Sequence, residues 1–340
     1  MTSETPPFWW EPADWRAFFL SPVSFVYAAI AARRIRRAPR QKIPAPVLCV
    51  GNFTVGGSGK TPVAIALARA AKSKGLRPGF LSRGYGGSFG KPQLVDAGAD
   101  SARHVGDEPL LLAQHAPVAV SKDRAAAARL LLEKGCDFLI MDDGFQSARI
   151  HFDYGLIVVD ATRGAGNGHV LPGGPLRARV PDQLPFTDAL LVVGKGGGAE
   201  NVVRTAARAG KAVFHAGVQP ARGHGLRGKR LYAFAGIGNP QKFYDTLAAA
   251  GGVVEKTRSF PDHHFYSEDE IVDLGESAAA YGLELVTTTK DAVRLAHGSP
   301  AVAAFRKRLN VLEIGMAFDP PSVPATIIDG AVKAARQRLL

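Results

Sequence analysis

Cysteine is scarce in this chain: among 340 residues only Cys49 and Cys136 are present, each inside or beside an apolar run. Two such thiols support no disulfide framework, fit a reducing cytoplasm, and exclude a Cys-rich metal motif. Internal repeats and low-complexity tracts are absent as well. Long apolar runs are missing too. The uncharged stretch Ala17 to Ala32 is sixteen residues long and is interrupted by Pro22. As a helix it would cover roughly 24 Å, short of the roughly 30 Å hydrocarbon core, so an interfacial helix is preferred to a membrane span. A cleaved signal peptide is disfavoured, because Glu4, Glu11 and Asp14 precede the apolar residues and the positive charge follows them.

What is present fits an enzyme-sized globular chain of two packed domains, with 46% hydrophobic residues. The formal charge of +12 is unevenly spread: Arg33, Arg34, Arg36, Arg37, Arg40 and Lys42 fall within ten residues that hold no acid. Phe18, Phe19, Leu20, Val23, Phe25, Val26, Tyr27 and Ile30 lie just before them. Apolar residues followed by a basic cluster favour an anionic membrane surface over nucleic acid, with the basic side facing the cytoplasm. The alternative is an N-terminal helix packed on the protein and followed by a solvated basic linker. Residues 1–44 are assigned to this membrane-associating segment.

From Pro46 onward short apolar runs alternate with helical patterns, which predicts an α/β fold whose parallel sheet carries helices on both faces. Predicted strands are Val47–Val50, Pro78–Leu81, Val118–Val120, Phe138–Met141, Leu156–Val159, Ala189–Val193 and Ala212–His215. Predicted helices between them are Thr61–Lys74, Glu108–Gln114, Arg124–Lys134 and Glu200–Ala209. A second, smaller βα series has strands Leu231–Ala235 and Leu283–Thr287 and helices Gln241–Ala250, Ser267–Tyr281 and Asp291–Leu295. These patterns divide the chain into a nucleotide-binding domain at 45–219, a Gly- and Arg-rich linker at 220–228 and a C-terminal α/β domain at 229–340.

The strongest motif runs Gly51-Asn52-Phe53-Thr54-Val55-Gly56-Gly57-Ser58-Gly59-Lys60-Thr61, directly after a strand and before a helix. That context is what a P-loop requires. Glycines turn backbone N–H groups toward phosphate oxygens, a lysine reaches the β- and γ-phosphates, and a threonine hydroxyl ligates Mg²⁺. Thr54 stands where the usual motif has its first glycine, so Thr54, Val55, Gly56, Gly57, Ser58, Gly59, Lys60 and Thr61 form the predicted cradle. A P-loop alone identifies nucleotide phosphate, not a reaction.

Phe138 to Met141 is an apolar strand ending in Asp142 and Asp143, the place where a P-loop protein keeps the acid that orients Mg²⁺. Asp107 and Glu108 open a helix, where capping and catalysis are equally good readings. His263 and His264, in Asp262-His263-His264-Phe265-Tyr266, lack the spacing of a helical zinc pair; a general-base partner or a packing feature both remain open.

Taken in order, Gly56 to Pro62, Ser82-Arg83-Gly84-Tyr85-Gly86, Val105-Gly106-Asp107-Glu108-Pro109, Asp142-Asp143-Gly144-Phe145-Gln146, Leu171-Pro172-Gly173-Gly174-Pro175-Leu176-Arg177, Ala235 to Pro240, Asp262-His263 and Thr288 to Val293 resemble the lipid A 4′-kinase family. The resemblance runs from residue 15 to beyond 295. It implies transfer of the ATP γ-phosphate to the 4′-hydroxyl of a tetraacylated glucosamine disaccharide 1-phosphate, by a monotopic protein at the cytoplasmic face of the bacterial inner membrane. A monomer is favoured. By the same resemblance Asp107 is the base and His263 its partner, while Thr61, Glu108, Asp142, Asp143 and Gln146 arrange Mg²⁺ and its waters. Arg83, Tyr85 and Arg177 become contacts to phosphate or sugar. The family pattern usually carries Glu before its Lys-Asp pair, where this chain has Thr289.

Two other classes compete. A P-loop GTPase or metal-insertion chaperone would need an Asn-Lys-x-Asp motif, and in Thr289-Lys290-Asp291-Ala292 the acid comes one place too early. A membrane-surface or nucleic-acid-binding protein using only the Arg33–Lys42 cluster would leave the P-loop and its strand-end acids without a purpose. Because Lys60 and Thr61 act on phosphate and metal, Lys60→Ala and Thr61→Ala should each remove most turnover at saturating MgATP while leaving the circular-dichroism spectrum unchanged. Near-normal turnover of Lys60→Ala would refute the P-loop assignment.

Overall fold

The computed structural model describes residues 5–340 apart from Ser58, Ala148 and Arg222. Its strands, in chain order, are β1 (Val47–Gly51), β2 (Pro78–Ser82), β3 (Gln93–Leu94), β4 (Val118–Val120), β5 (Phe138–Asp142), β6 (Tyr154–Asp160), β7 (Ala189–Val193), β8 (Ala212–Pro220), β9 (Arg230–Ala235), β10 (Val253–Ser259), β11 (Glu284–Thr288), β12 (Asn310–Leu312) and β13 (Ile314–Asp319). They form two sheets, β13-β8-β7-β6-β1-β5-β2-β4-β3 and β10-β9-β11-β12. Pairing is parallel throughout except at the two edges of the larger sheet, where β13 and β3 run antiparallel to their neighbours.

Strands β1, β2, β5 and β7 are buried over their whole length, the continuous apolar reading of strands covered on both faces. One face packs against the helices Lys60–Ser73 and Val323–Leu339, through Val63, Leu67, Ile327 and Ile328. The other packs against Arg124–Glu133 and Glu200–Arg208, through Ala127, Leu131, Val202 and Ala206. Strand β1 lies between β6 and β5, so connections leave it toward both sides of the sheet. A crevice opens at such a point beyond the carboxyl ends of the strands, and the P-loop follows β1 there.

The smaller sheet is parallel as well, with buried Tyr232, Phe234, Leu274 and Leu285 on one face and Leu231, Ala233, Leu247 and Val286 on the other. Side chains that follow β9, β10 and β11 meet side chains that follow the strands of the larger sheet. The carboxyl ends of the two sheets thus look into one cleft.

Two sequence expectations need correction. The C-terminal unit was drawn to residue 340, but the smaller sheet ends at Leu312 and the chain returns to the larger one: β13 pairs with β8, and the Val323–Leu339 helix lies on the helix after the P-loop. The return is latched by Arg338, whose guanidinium donates to both oxygens of buried Asp153 and to the carbonyl of Ala45. Pairing partners a hundred residues apart leave no local pattern to read. β10 escaped prediction for a related reason: it is an edge strand reading Val-Val-Glu-Lys-Thr-Arg-Ser, polar on its open side.

The second correction concerns the N-terminus. Pro22 does not interrupt a helix; it sits in the first turn of one, Ser21–Arg37, where a missing N–H costs nothing. A short helix, Trp15–Phe19, precedes it, with Asp14 capping by accepting from the Arg16 and Ala17 amides. Ser24, Ala28, Ala32 and Ile35 face the protein, and Ser24 Oγ accepts a hydrogen bond from the Gly173 amide at 3.0 Å. Trp15, Phe18, Phe19, Val23, Phe25, Val26, Tyr27 and Ile30 face outward. Among the described residues no helix is long and apolar enough to cross a membrane.

Candidate active site

The P-loop ends on Gly59, whose φ of 81° lies in the left-handed region, as does the φ of 98° at Gly56. Side chains are strained at both, so the loop's chemistry requires glycine there. Gly51, just before the loop, passes so close to Phe145 that an added Cβ would lie 2.5 Å from that side chain. Thr54 and Val55 are tied down by the loop containing Pro172 to Arg177: Thr54 bridges to Leu176, and the Val55 amide donates to the Pro175 carbonyl at 2.9 Å. With its N–H so engaged, Val55 offers none to a phosphate, and among the described residues Gly56, Gly57, Gly59, Lys60 and Thr61 remain as candidates for the cradle. Ser58 lies outside the described residues.

At the end of β5, Asp142 is buried, and the Thr61 hydroxyl lies 3.5 Å from its Oδ2. Its other oxygen, Oδ1, has no hydrogen-bond partner among the described residues. Burial, reinforced by the negative charge of Glu108 and opposed by Lys60, pushes its pKa up to about 7. Asp143, next along the chain, turns into the left-handed region with φ 49° and accepts from Arg177 at 2.8 and 3.1 Å. Burial raises its pKa, but the charges of Lys60, 3.8 Å away, and of Arg177 overcome that and hold it below the usual carboxylate range. Gln146 is engaged within the protein. Its amide donates to Asn52 O and Gln183 Oε1 and its oxygen accepts from Arg177, so it braces the loops around the site.

No cluster of three or more His, Cys, Asp and Glu side chains poised to hold a metal occurs among the described residues. Mg²⁺ in nucleotide sites needs only one or two protein oxygens beside phosphate and water. A threonine hydroxyl next to a buried carboxylate with one unpartnered oxygen meets that need.

Facing these groups, the second lobe reaches into the first. Asp107 is buried at the start of the Asp107–Ala113 helix; its Oδ1 accepts the Glu108 amide at 2.9 Å. His263 Nδ1 lies 3.0 Å from Asp107 Oδ2 and 3.2 Å from Oδ1. Arg294 donates to the same Oδ2 from Nε at 2.8 Å and also from its terminal nitrogen. Burial works against the ionised form of Asp107, but the His263 hydrogen bond and the charges of Arg294 and Lys290 prevail and hold its pKa far below normal. His263 is shifted the other way, upward, by its hydrogen bond to Asp107. Its backbone is left-handed (φ 60°), pinned by the Gly236 carbonyl and the Asp262 carboxylate, which both accept its amide. Lys290 Nζ donates to Glu108 Oε1 at 2.6 Å, and its charge holds Glu108 low. Tyr85 is exposed with its ring 6.0 Å from that of His263, and Arg83 is exposed on the same loop.

The structure thus brings Lys60, Thr61, Glu108, Asp142, Asp143, Arg177, Asp107 and His263 to one cleft. Sequence reasoning missed Arg124 and Arg294. Arg124 is buried and donates to the Asp143 carbonyl at 2.9 Å, yet an arginine after a capping aspartate reads as solvated. Arg294 ends a short helix and carries no local mark of burial.

The family model described as tetraacyldisaccharide-1-P 4′-kinase matches residues 16–332. The chain belongs to that family. A tetraacyldisaccharide 4′-kinase from Mesorhizobium japonicum is 62% identical over 100% of this chain and 99% of its own length. Another from Brucella melitensis is 53% identical, again over 100% and 99%. Among solved structures, the LpxK of Aquifex aeolicus in complex with ATP aligns over 93% of this chain and 99% of its own, with TM-score 0.72 and 26% identity. The two chains thus share one overall fold.

Asp142 holds its proton more tightly when folded than when unfolded, so its contribution to stability falls as pH rises from about 4 toward 7. In the metal-free protein Asp142→Asn should therefore raise the melting temperature at pH 8 and change it less at pH 5. An equal shift at both pH values would show that Asp142 is not strained in this way.

Proposed function

We propose that the chain works as a tetraacyldisaccharide 4′-kinase through the Asp107–His263 pair, which stands across the cleft from Lys60. The activity is transfer of the ATP γ-phosphate to the 4′-hydroxyl of tetraacyldisaccharide 1-phosphate in lipid A biosynthesis. The meeting of Asp107 with His263 carries this reading. Their hydrogen bond joins the P-loop lobe to a turn of the other lobe, where an acid that served only as a cap would need no partner.

Phosphoryl transfer asks the protein for position and charge neutralisation more than for covalent help. The Gly56–Thr61 loop cradles the phosphates, and Lys60 offsets charge on the transferred group. Mg²⁺, held by Thr61 and Asp142, supplies further neutralisation when bound. The sugar oxygen forms a bond to γ-phosphorus as the bond to ADP breaks, and its proton passes to the Asp107–His263 pair, which titrates as a unit. Asp143 and Arg177 hold each other beside Lys60, which keeps the lysine aimed at the loop. Arg83 and Tyr85, exposed at the rim near His263, are placed for the sugar or its phosphate.

The lipid acceptor is presented at a membrane surface. Each large apolar side chain moved from water into the interface contributes about 1.5–3 kcal/mol, and eight stand outward on Trp15–Phe19 and Ser21–Arg37. Of the six clustered cations, Arg36 pairs with Asp182 and Arg40 stacks over Phe152 and Phe186, which leaves Arg33, Arg34, Arg37 and Lys42 for anionic lipid. The protein is monotopic, on the cytoplasmic face of the inner membrane.

Purified protein with labelled ATP and the disaccharide precursor should yield a lipid with one additional phosphate by chromatography. Asp107→Asn should lower kcat on the order of 10²–10⁴ with little change in ATP affinity, and His263→Ala by less. The double variant should be scarcely worse than Asp107→Asn, since groups acting as a unit are not additive. Turnover within a few-fold of wild type, with only a lowered melting temperature, would leave Asp107 a helix cap.

The surface assignment has its own test. Replacing Phe19, Phe25 and Ile30 together by Ser should weaken co-sedimentation with vesicles containing phosphatidylglycerol, most of all at high salt, where the attraction of the cations is screened. Unchanged sedimentation would place the membrane contact elsewhere.

A further inference from the structure

The motif Thr288 to Arg294 enters the site through Lys290 and Arg294, and it is densely bonded. Its centre is Asp291, fully buried. One oxygen, Oδ1, accepts from the Gly236 amide at 3.1 Å, from Tyr266 Oη at 2.8 Å and from Arg294 at 2.8 Å. The other accepts from Thr288 Oγ1 at 2.6 Å. The turns after β9, β10 and β11 are therefore tied to one carboxylate. Arg294 carries that tie across the cleft. Its side chain, 1% exposed, donates from one terminal nitrogen to Asp291 and the Gly236 carbonyl, and from Nε and the other terminal nitrogen to Asp107.

We infer that Arg294, itself aimed by Asp291, is a positioning residue that fixes the carboxylate of Asp107 toward His263 and couples that fixation to the seating of the second lobe. The inference rests on the assignment of the Asp107–His263 pair as the proton acceptor. Arg294 reaches Asp107 from behind: both nitrogens act on Oδ2, while Oδ1 takes the Glu108 amide, so rotation about the Asp107 side chain is blocked at both oxygens. A planar fork held at its other end by Asp291 does this with little freedom of its own. A carboxylate so fixed sets the ring plane and tautomer of the imidazole it contacts, which is how a third group commonly orients a general base. The Gly236 carbonyl adds a second link: it accepts both from Arg294 and from the His263 amide, so the arginine and the histidine share one anchor. If the second lobe shifted, the arginine and the histidine would leave Asp107 together.

The experiment compares Arg294→Gln, which keeps hydrogen-bond donors but not the charge, with Arg294→Lys, beside Asp107→Asn, in the full-length protein in detergent micelles. Expected for Arg294→Gln are a kcat loss of at least tenfold, KM values for ATP and lipid within about threefold of wild type, and a cooperative melting transition. Arg294→Lys keeps the charge but not the fork, so it should recover only part of that loss, still more than an uncharged filler would. Should Arg294→Gln fail to fold, Arg294→Lys with Tyr266→Phe serves: weakening the aim of the cation through Asp291 should lower kcat further than Arg294→Lys alone, again with KM unmoved. If Asp107→Asn collapses kcat while Arg294→Gln, or the double variant, turns over like its parent, Arg294 is structural and the inference is wrong. If Asp107→Asn itself retains turnover, the base assignment fails first and the inference falls with it.

Discussion

The ion pair between Asp107 and Arg294 is the constraint on which the cleft depends. Two charges buried this deeply are tolerated only when each is paired and hydrogen-bonded, and removing one partner of such a pair typically costs about 3–5 kcal/mol. Here the partners belong to different sheets, so the penalty acts on lobe geometry: separation would strand Asp107 in one lobe and Arg294 in the other. The Glu108–Lys290 and Asp160–Lys242 pairs cross the same cleft, but they are more exposed and contribute less. The deep pair sets the approach, and the outer ones follow it.

The same cleft shows why two neighbouring acids on one strand end have different roles. Asp143 is satisfied by Arg177, Lys60 and, through its carbonyl, Arg124, and stays ionised. Asp142 is buried beside Glu108 with one oxygen unpartnered. The surplus negative charge is left beside the Thr61 hydroxyl, where the proposed Mg²⁺ would offset it. An apolar environment and a neighbouring acid raise one carboxylate while fixed cations lower the other, and the division needs no difference in residue type.

The N-terminal helix and the glycine-rich loop after β1 are joined more directly than their separation in sequence suggests. Ser24 takes the Gly173 amide, Trp9 donates to the Pro172 carbonyl, and three residues further on Leu176 bridges to Thr54 while Arg177 donates to the Phe53 carbonyl. Gly173 and Gly174 have no room for a side chain, since an added Cβ would fall 2.9 Å from Ser24 Oγ at the first and 2.1 Å from Asn167 at the second. The Pro-Gly-Gly-Pro turn is thus a seat for the helix on one side and a strap for the P-loop on the other.

Much of this was legible in the residues themselves. Strands covered on both faces must be apolar end to end, so β1, β5 and β7 announce themselves, and a glycine-rich turn between strand and helix places a phosphate without any knowledge of the fold. The strand-end acids follow by the same local logic. What no local pattern carries is a pairing between distant segments: β13 with β8, Arg338 with Asp153, and above all Asp107 with His263 and Arg294. In sequence Asp107 is equally a cap and a catalyst, because the first turn of a helix favours an acid for either purpose. Only the tertiary structure shows the carboxylate enclosed and met by a histidine and an arginine from another sheet, the contacts on which its proposed role as a base rests. Sequence by itself determined the parts whose physics is contained within a turn or a strand; only the packed structure decided those whose energy comes from burying charges that lie more than 150 residues apart.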